Sequence, residues 1–251
     1  MPSPDSRIHV LPITAAILLV LALGACTGED TPARQVTEDD TAAARTQDGR
    51  VPAGRLPEGA TYDFGAMRGG EAEVGGAYYI GRSDAPVTVA TFGDFECQFC
   101  ARSEAATAPA RTELLEAGTV RVFYLDFPLP MHARGRPAAE FARCVGRTEG
   151  PRAFWRAYRT LHRTQDRWTD ARTVEDGLRT VADKLGASWP EAKSCMDADT
   201  ELPAVVRFQR LGRRVGIRGT PTSFFNGVPR VGAITEPVFR RMVDAALSGE
   251  R

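Results

Sequence analysis

Hydrophobic and polar positions divide the chain into three stretches of different character. From Val10 to Leu23 nearly every residue is apolar. From Thr27 to about Gly76 polar and small residues dominate, with no aromatic before Tyr62. From Tyr78-Tyr79-Ile80 onward, apolar residues recur with the periods of strands and helices. Val87-Thr-Val-Ala-Thr-Phe92 and Val120-Arg-Val-Phe-Tyr-Leu125 are β-branched, apolar runs of strand length. Between them Ala101 to Ala117 reads as a helix, kinked by Pro109 and ended by Gly118. Strand, helix and strand with a short return imply a βαβ unit and a parallel pair. From Ala133 to about Thr200 no strand is expected. Pro137 to Cys144, Ala153 to His162 and Val174 to Leu185 show helical apolar spacing there. Glu201 to Val215 predicts another helix. A short strand after Pro221, a hairpin turn at Asn226-Gly227, a partner strand Val228 to Val231 and a closing helix Glu236 to Leu247 complete the pattern.

The apolar run at the start is short of the roughly 20 residues a transmembrane helix needs, and it suits the h-region of a secretory signal peptide. It leads into Leu23-Gly24-Ala25-Cys26, which resembles the lipobox of bacterial lipoproteins. That resemblance implies that residues 1–25 are removed and that Cys26 becomes the lipidated first residue. The mature protein would then be extracytoplasmic and held to the bacterial cell membrane by acyl chains, which anchor without spanning. Residues 26–76 are expected to be a disordered tether, because so little apolar surface cannot offset the entropy of ordering.

Composition narrows the function classes. The 251 residues hold 32 Lys+Arg against 32 Asp+Glu, a formal net charge of zero. Such a chain lacks the basic field that phosphate backbones select, so no nucleic-acid partner is expected. Five cysteines are too few for a disulfide-stapled mini-protein. They suffice for one redox pair and one bridge besides Cys26.

Cys97 and Cys100 carry the chemistry. The spacing C-x-x-C at a strand-to-helix junction places the first sulfur at a helix N-terminus. Unpaired N–H groups and the helix dipole there stabilise a thiolate. Cys97 would be the nucleophile, and Cys100, one turn on, would resolve the mixed disulfide. Half of a zinc site is the competing reading, but Cys144, Cys195 and the three histidines offer no paired metal spacing. Covalent haem needs His directly after the second Cys, where Ala101 stands. No metal and no cofactor are expected.

Phe92-Gly-Asp-Phe-Glu-Cys-Gln-Phe-Cys100, a helical block, and then Gly219-Thr-Pro-Thr222 in this order resemble the DsbA-like branch of the thioredoxin superfamily. The resemblance spans about Tyr78 to Leu247. It implies an α/β, thioredoxin-like fold with an inserted helical domain: residues 77–132 and 201–251 form the thioredoxin-like part and 133–200 the insertion. It also implies that Pro221 is a cis-proline beside the active-site disulfide and that the Thr220 backbone pairs with substrate peptide. The implied activity is thiol–disulfide exchange on reduced or misoxidised exported proteins, with a quinone-linked membrane partner that reoxidises the pair. A reductase or isomerase would use the same residues, and a non-catalytic binding lipoprotein is the rival from another class.

Many relatives have Pro where Gln98 stands, and strong oxidants carry His at the place of Phe99, so the oxidising strength stays open. Phe99 either extends an apolar surface around Cys97 or packs in the core. Cys144 and Cys195, at the ends of the helical block, are expected to form a structural disulfide, since leftover cysteines pair in an oxidising compartment and some relatives bridge this domain. A second redox pair or two free thiols are the alternatives. Asp94, near the end of the core strand, is the candidate acid to accept the Cys100 proton. His132, after the second strand of the βαβ unit, is a second relay candidate. For each, a solvated loop acid or a helix-start hydrogen bond competes.

Overall fold

Alternation along the strands explains the architecture. In the computed structural model, which describes residues 71–74 and 76–249, β2 (Ala77–Gly81), β3 (Val87–Gly93) and β4 (Val120–Asp126) are buried on both faces. Tyr78, Val87, Val89, Val120, Val122 and Tyr124 face one apolar core. Tyr79, Ala90, Phe92, Phe123 and Leu125 face a second. Strands covered on both sides read as nearly continuous hydrophobic runs, as these do.

β3 and β4 pair in parallel, with Val87 opposite Val120 and Gly93 opposite Asp126. A parallel pair needs a crossover, supplied by α1 (Gln98–Glu116). β1 (Glu71–Val74) and β2 add antiparallel strands beyond β4. β5 (Thr222–Phe225) and β6 (Val228–Val231) add two more beyond β3, giving the order β1-β2-β4-β3-β5-β6. Asn226 and Gly227 both have positive φ, 46° and 88°, as a tight hairpin turn requires.

Between β4 and β5 the chain is helical. α2 (Gly135–Glu149), α3 (Pro151–Arg163), α4 (Gln165–Thr169), α5 (Val174–Leu185) and α6 (Trp189–Asp197) form the insertion, and α7 (Leu202–Arg214) returns to the sheet. α8 (Glu236–Ser248) closes the chain. The insertion shares its core with the sheet: Tyr78 stacks on Phe154 with centroids 4.0 Å apart, and Tyr124 meets Tyr158 at 4.9 Å. On the opposite face α7 brings Phe208 and Leu211 against Phe92 and Phe127. A disulfide joins Cys144 on α2 to Cys195 on α6.

Order begins earlier than the sequence pattern suggests. β1 lies inside the stretch read as tether, because pairing with β2 organises a segment whose own composition is polar. The first helix starts at Gln98, ahead of the expected Ala101, so that Cys100 lies within it and Cys97 caps it. α4 and α6 were not anticipated. Each is short, nine residues at most, and too brief to show a helical period. The signal peptide, Cys26 and the tether up to residue 70 lie outside the described residues.

Candidate active site

β3 delivers the chain to the site and α1 carries it away. The connecting loop Asp94-Phe95-Glu96 is held from several sides. Phe95 is fully buried, and its carbonyl accepts from Gln165 Nε2 at 2.6 Å. The Glu96 carboxylate accepts from the Arg134 N–H at 2.6 Å. The Asp94 carboxyl accepts from the N–H groups of Glu96 at 2.9 Å and Leu129 at 2.8 Å, and its Oδ2 lies 2.6 Å from His132 Nδ1. Asp94 and His132, both singled out in the sequence, therefore stand together. Their link is to each other and to the loops, and no hydrogen bond joins either side chain to a sulfur. Burial pushes the Asp94 carboxyl up, against the hydrogen bonds from Leu129 and His132.

Cys97 is the N-cap of α1, with extended backbone (φ −74°, ψ 113°), and its N–H donates to the Asp94 carbonyl at 3.1 Å. The Thr220–Pro221 peptide is cis, and the Thr220 carbonyl accepts from Cys97 Sγ at 3.4 Å. The buried Thr220 hydroxyl has no hydrogen-bond partner. Both cysteines are unbridged thiols, nearly hidden from solvent.

The two sulfurs are electrostatically unlike. The Cys100 thiol, then the neighbouring Thr220, together with the N–H groups of Cys100 and Phe99, lower the Cys97 pKa to about 5, against the cost of burial. Burial, and then the neighbouring Cys97 sulfur, push the Cys100 thiol well above its ordinary value. Near neutral pH the pair holds one proton, on Cys100. Such a pair can perform nucleophilic exchange, with the more acidic sulfur attacking and the other thiol held in reserve. Phe99 is 50% exposed, with the Arg102 guanidinium 4.4 Å above its ring. It is a surface residue and contributes no core packing.

A family model described as thioredoxin matches residues 73–245. The chain belongs to the thioredoxin family. Within it the chain is DsbA-like. It is 28% identical over 160 residues to disulfide bond formation protein D of Bacillus subtilis (strain 168), covering 62% of this chain and 71% of that one. The crystal structure of oxidised BdbD from Bacillus subtilis matches with a TM-score of 0.61 at 22% identity, over 72% of this chain and 98% of that one. Wolbachia pipientis alpha-DsbA1 matches with the same TM-score at 18% identity, over 69% and 92%. The chain is thus a thiol–disulfide oxidoreductase on a thioredoxin-like fold with a helical insertion.

A group of residues beneath Cys100 escaped sequence reasoning. Glu104, one turn after Cys100, pairs with Arg111 on the buried side of α1 and accepts from the Tyr158 hydroxyl at 2.7 Å. Burial alone would raise the Glu104 carboxyl, but Arg111 outweighs it and holds Glu104 below its ordinary value. Tyr124 and His162 complete the group. The i, i+4 spacing of Cys100 and Glu104 was a usable signal. The partners from β4 and α3 are brought in only by the fold. Among the described residues no cluster of three or more His, Cys, Asp or Glu could hold a metal ion.

Proposed function

We propose that this protein donates disulfides to reduced exported proteins. A substrate thiolate attacks Cys97 of the Cys97–Cys100 disulfide, forming a Cys97–substrate bond and releasing Cys100 as the thiolate, which takes up a proton. A second substrate thiolate then attacks the substrate sulfur of that bond, forming the substrate disulfide and expelling the Cys97 thiolate. The observation that supports this reading is the depressed Cys97 pKa of about 5. A stable thiolate is a good leaving group, and it favours the reduced form that donation leaves behind.

The Thr220 carbonyl, beside Cys97, would pair with substrate backbone. Asp94 and His132 would serve Cys97 through the loop, fixing its backbone and, through the 24% exposed His132 side chain, offering a proton exit to solvent. Cys26 would carry the lipid anchor, residues 26–70 the reach, and a quinone-linked membrane partner would reoxidise the dithiol. Among the described residues no helix is long and apolar enough to cross a membrane.

The test is Cys100→Ser expressed in a bacterial host. Mixed disulfides between Cys97 and exported proteins should accumulate on non-reducing gels; their complete absence would rule out catalysis. The reduction potential then fixes direction. A value of roughly −120 to −180 mV supports donation, and about −270 mV would make the protein a reductase. Membrane release of Cys26→Ala tests the anchor.

A further inference from the structure

α7 has two faces of different kind. Val205 and Phe208 turn inward to the core. Arg207, Arg210, Arg213 and Arg214 are all exposed, and at 3.6 residues per turn they fall within about 120° of arc on the opposite side. The helix contains no acidic residue. Glu201, which precedes it, is already taken by Arg143 and Arg147. Among the described residues no carboxylate pairs with Arg210, Arg213 or Arg214. Asp199 shares this side but stands roughly three helical turns before Arg210. A helix C-terminus favours cations in its last turn, which accounts for Arg213 and Arg214; Arg207 and Arg210 lie before that turn.

Apolar groups fill the rest of this face. Leu202, Pro203 and Val206 share an open groove with Arg207, Arg210 and Arg214. Apart from Asp199 at one end, the described residues of the groove offer only guanidinium groups and hydrocarbon. Such a surface reads negative charge in front of an apolar layer. Guanidinium forks match phosphate oxygens, and short apolar side chains enter the boundary between headgroups and acyl chains.

We propose that the outward face of α7 docks on the anionic phospholipid headgroups of the membrane to which the Cys26 anchor ties the chain. The inference rests on the lipid-anchored reading and adds to it the surface by which the folded part meets the lipid. Two features favour lipid over an acidic protein. A Cβ on Gly76 would lie on the Arg207 guanidinium, so the face adjoins the β1–β2 turn, in the hairpin through which the chain runs back toward Cys26. Weak affinity also suffices here, because an anchored chain is held at high effective concentration. Docking would set where the chemistry happens. Gln209 donates to the Pro128 carbonyl at 2.6 Å, tying α7 to the loop that carries His132, and the chain beyond α7 runs into Thr220 and Pro221. A domain bound through this face keeps the Cys97 site close to the membrane, where the proposed reoxidising partner resides.

The experiment is vesicle flotation of the full chain carrying Cys26→Ala, which lacks the acyl anchor. The vesicles are phosphatidylcholine alone, or phosphatidylcholine with phosphatidylglycerol as the anionic lipid. An arginine near an anionic surface is worth about fivefold in binding, so the face should prefer the anionic vesicles by at least ~100-fold. High salt should abolish that preference. Arg210→Gln, Arg213→Gln and Arg214→Gln combined should weaken binding to anionic vesicles about 100-fold. Lys at the same three positions should retain it, since the charges stay in place. Arg163→Gln, Arg167→Gln and Arg179→Gln combined remove three other exposed arginines and should leave it nearly unchanged. All variants should react with 5,5′-dithiobis(2-nitrobenzoate) at the unsubstituted rate, which reports an intact fold.

Equal binding to the two kinds of vesicle would overturn the proposal and leave the face to an acidic protein. So would an anionic preference that survives the three Gln substitutions on α7, or one that the three substitutions elsewhere reduce as much. Failure of the anchor reading itself would look different: Cys26→Ala would stay in the membrane fraction of cells, while the dependence of vesicle binding on the α7 arginines would be unaffected.

Discussion

The acidity of Cys97 can be turned into a rate. A group of pKa about 5 is ~90% thiolate at pH 6, whereas an ordinary thiol of pKa ~8.5 is about 0.3% ionised there. Ionisation alone thus favours Cys97 by about 300-fold at that pH. Nucleophilicity falls with basicity, at a Brønsted slope of ~0.4–0.5, and over ~3.5 units this costs about 25- to 55-fold. The net expectation at pH 6 is alkylation of Cys97 roughly 5- to 12-fold faster than of a simple thiol, and at pH 7 about equal rates. Iodoacetamide, small enough to reach a nearly hidden sulfur, gives the assay: the rate on reduced protein, quenched and read by mass spectrometry, plotted from pH 3.5 to 9. The curve should be half-maximal near pH 5 and flat above pH 6.5.

The variant Cys100→Ala removes the largest contributor to that acidity, the hydrogen bond from the inner thiol. A hydrogen bond to a charged group contributes about 1.5–3 kcal/mol, or roughly 1–2 pH units, so the half-point should move up to between about 6 and 7. A half-point for the unsubstituted protein at pH 8 or above would refute the reasoning. So would a Cys100→Ala curve superimposable on the original.

Four further outcomes follow from other parts of the molecule. Arg143 is fully buried and binds Asp126 and Glu201, both at 3.0 Å, and the Gly76 carbonyl. Arg143→Met should destabilise by about 3–5 kcal/mol, as breaking one side of a buried ion pair does, and thermal unfolding would show it as a fall in Tm of roughly 6–20 °C. Cys144→Ala with Cys195→Ala opens a bridge spanning 51 residues; chemical denaturation should find a loss of about 4 kcal/mol on the chain-entropy model. Gly135→Ala would put a Cβ 2.4 Å from Asp94 Oδ1, whereas Gly219 has open space around it. The first should therefore cost about 1–3 kcal/mol and Gly219→Ala little, compared by Tm. Finally, unfolded Cys97 holds its proton to about pH 8.5 while the folded residue releases it near 5. The unfolded state thus binds more protons between these limits, and the reduced protein should gain stability over the oxidised form as pH rises from about 5 to 8.5. Parallel denaturation of the two redox forms with no pH-dependent difference would contradict this.

How much of the site was legible in the sequence depends on the reach of each interaction. Cys97 and Cys100 lie within one helical turn, so spacing alone fixes their relation and their place at a helix start. The meeting of Cys97 with Thr220 spans 123 positions, and only the ordered resemblance to a family made it readable. Asp94 and His132, 38 apart, were both expected near the site. Their mutual bond was not foreseeable, because it depends on how the loop after β4 folds back over the loop after β3. β1 stayed hidden because its alternating charged residues become a strand only against β2. The group beneath Cys100 is the furthest from sequence. Glu104 and Arg111 read as two polar residues of an ordinary helix, and His162 as one position on the apolar face of another. It takes the packing of α3 over α1 and β4 to enclose them. The motif therefore specifies which sulfur stands at the helix start, while the fold brings polar groups of α1, β4 and α3 around the other. That division explains why C-x-x-C alone does not define an enzyme: the local sequence sets the nucleophile, and the tertiary fold sets the protonation of its partner.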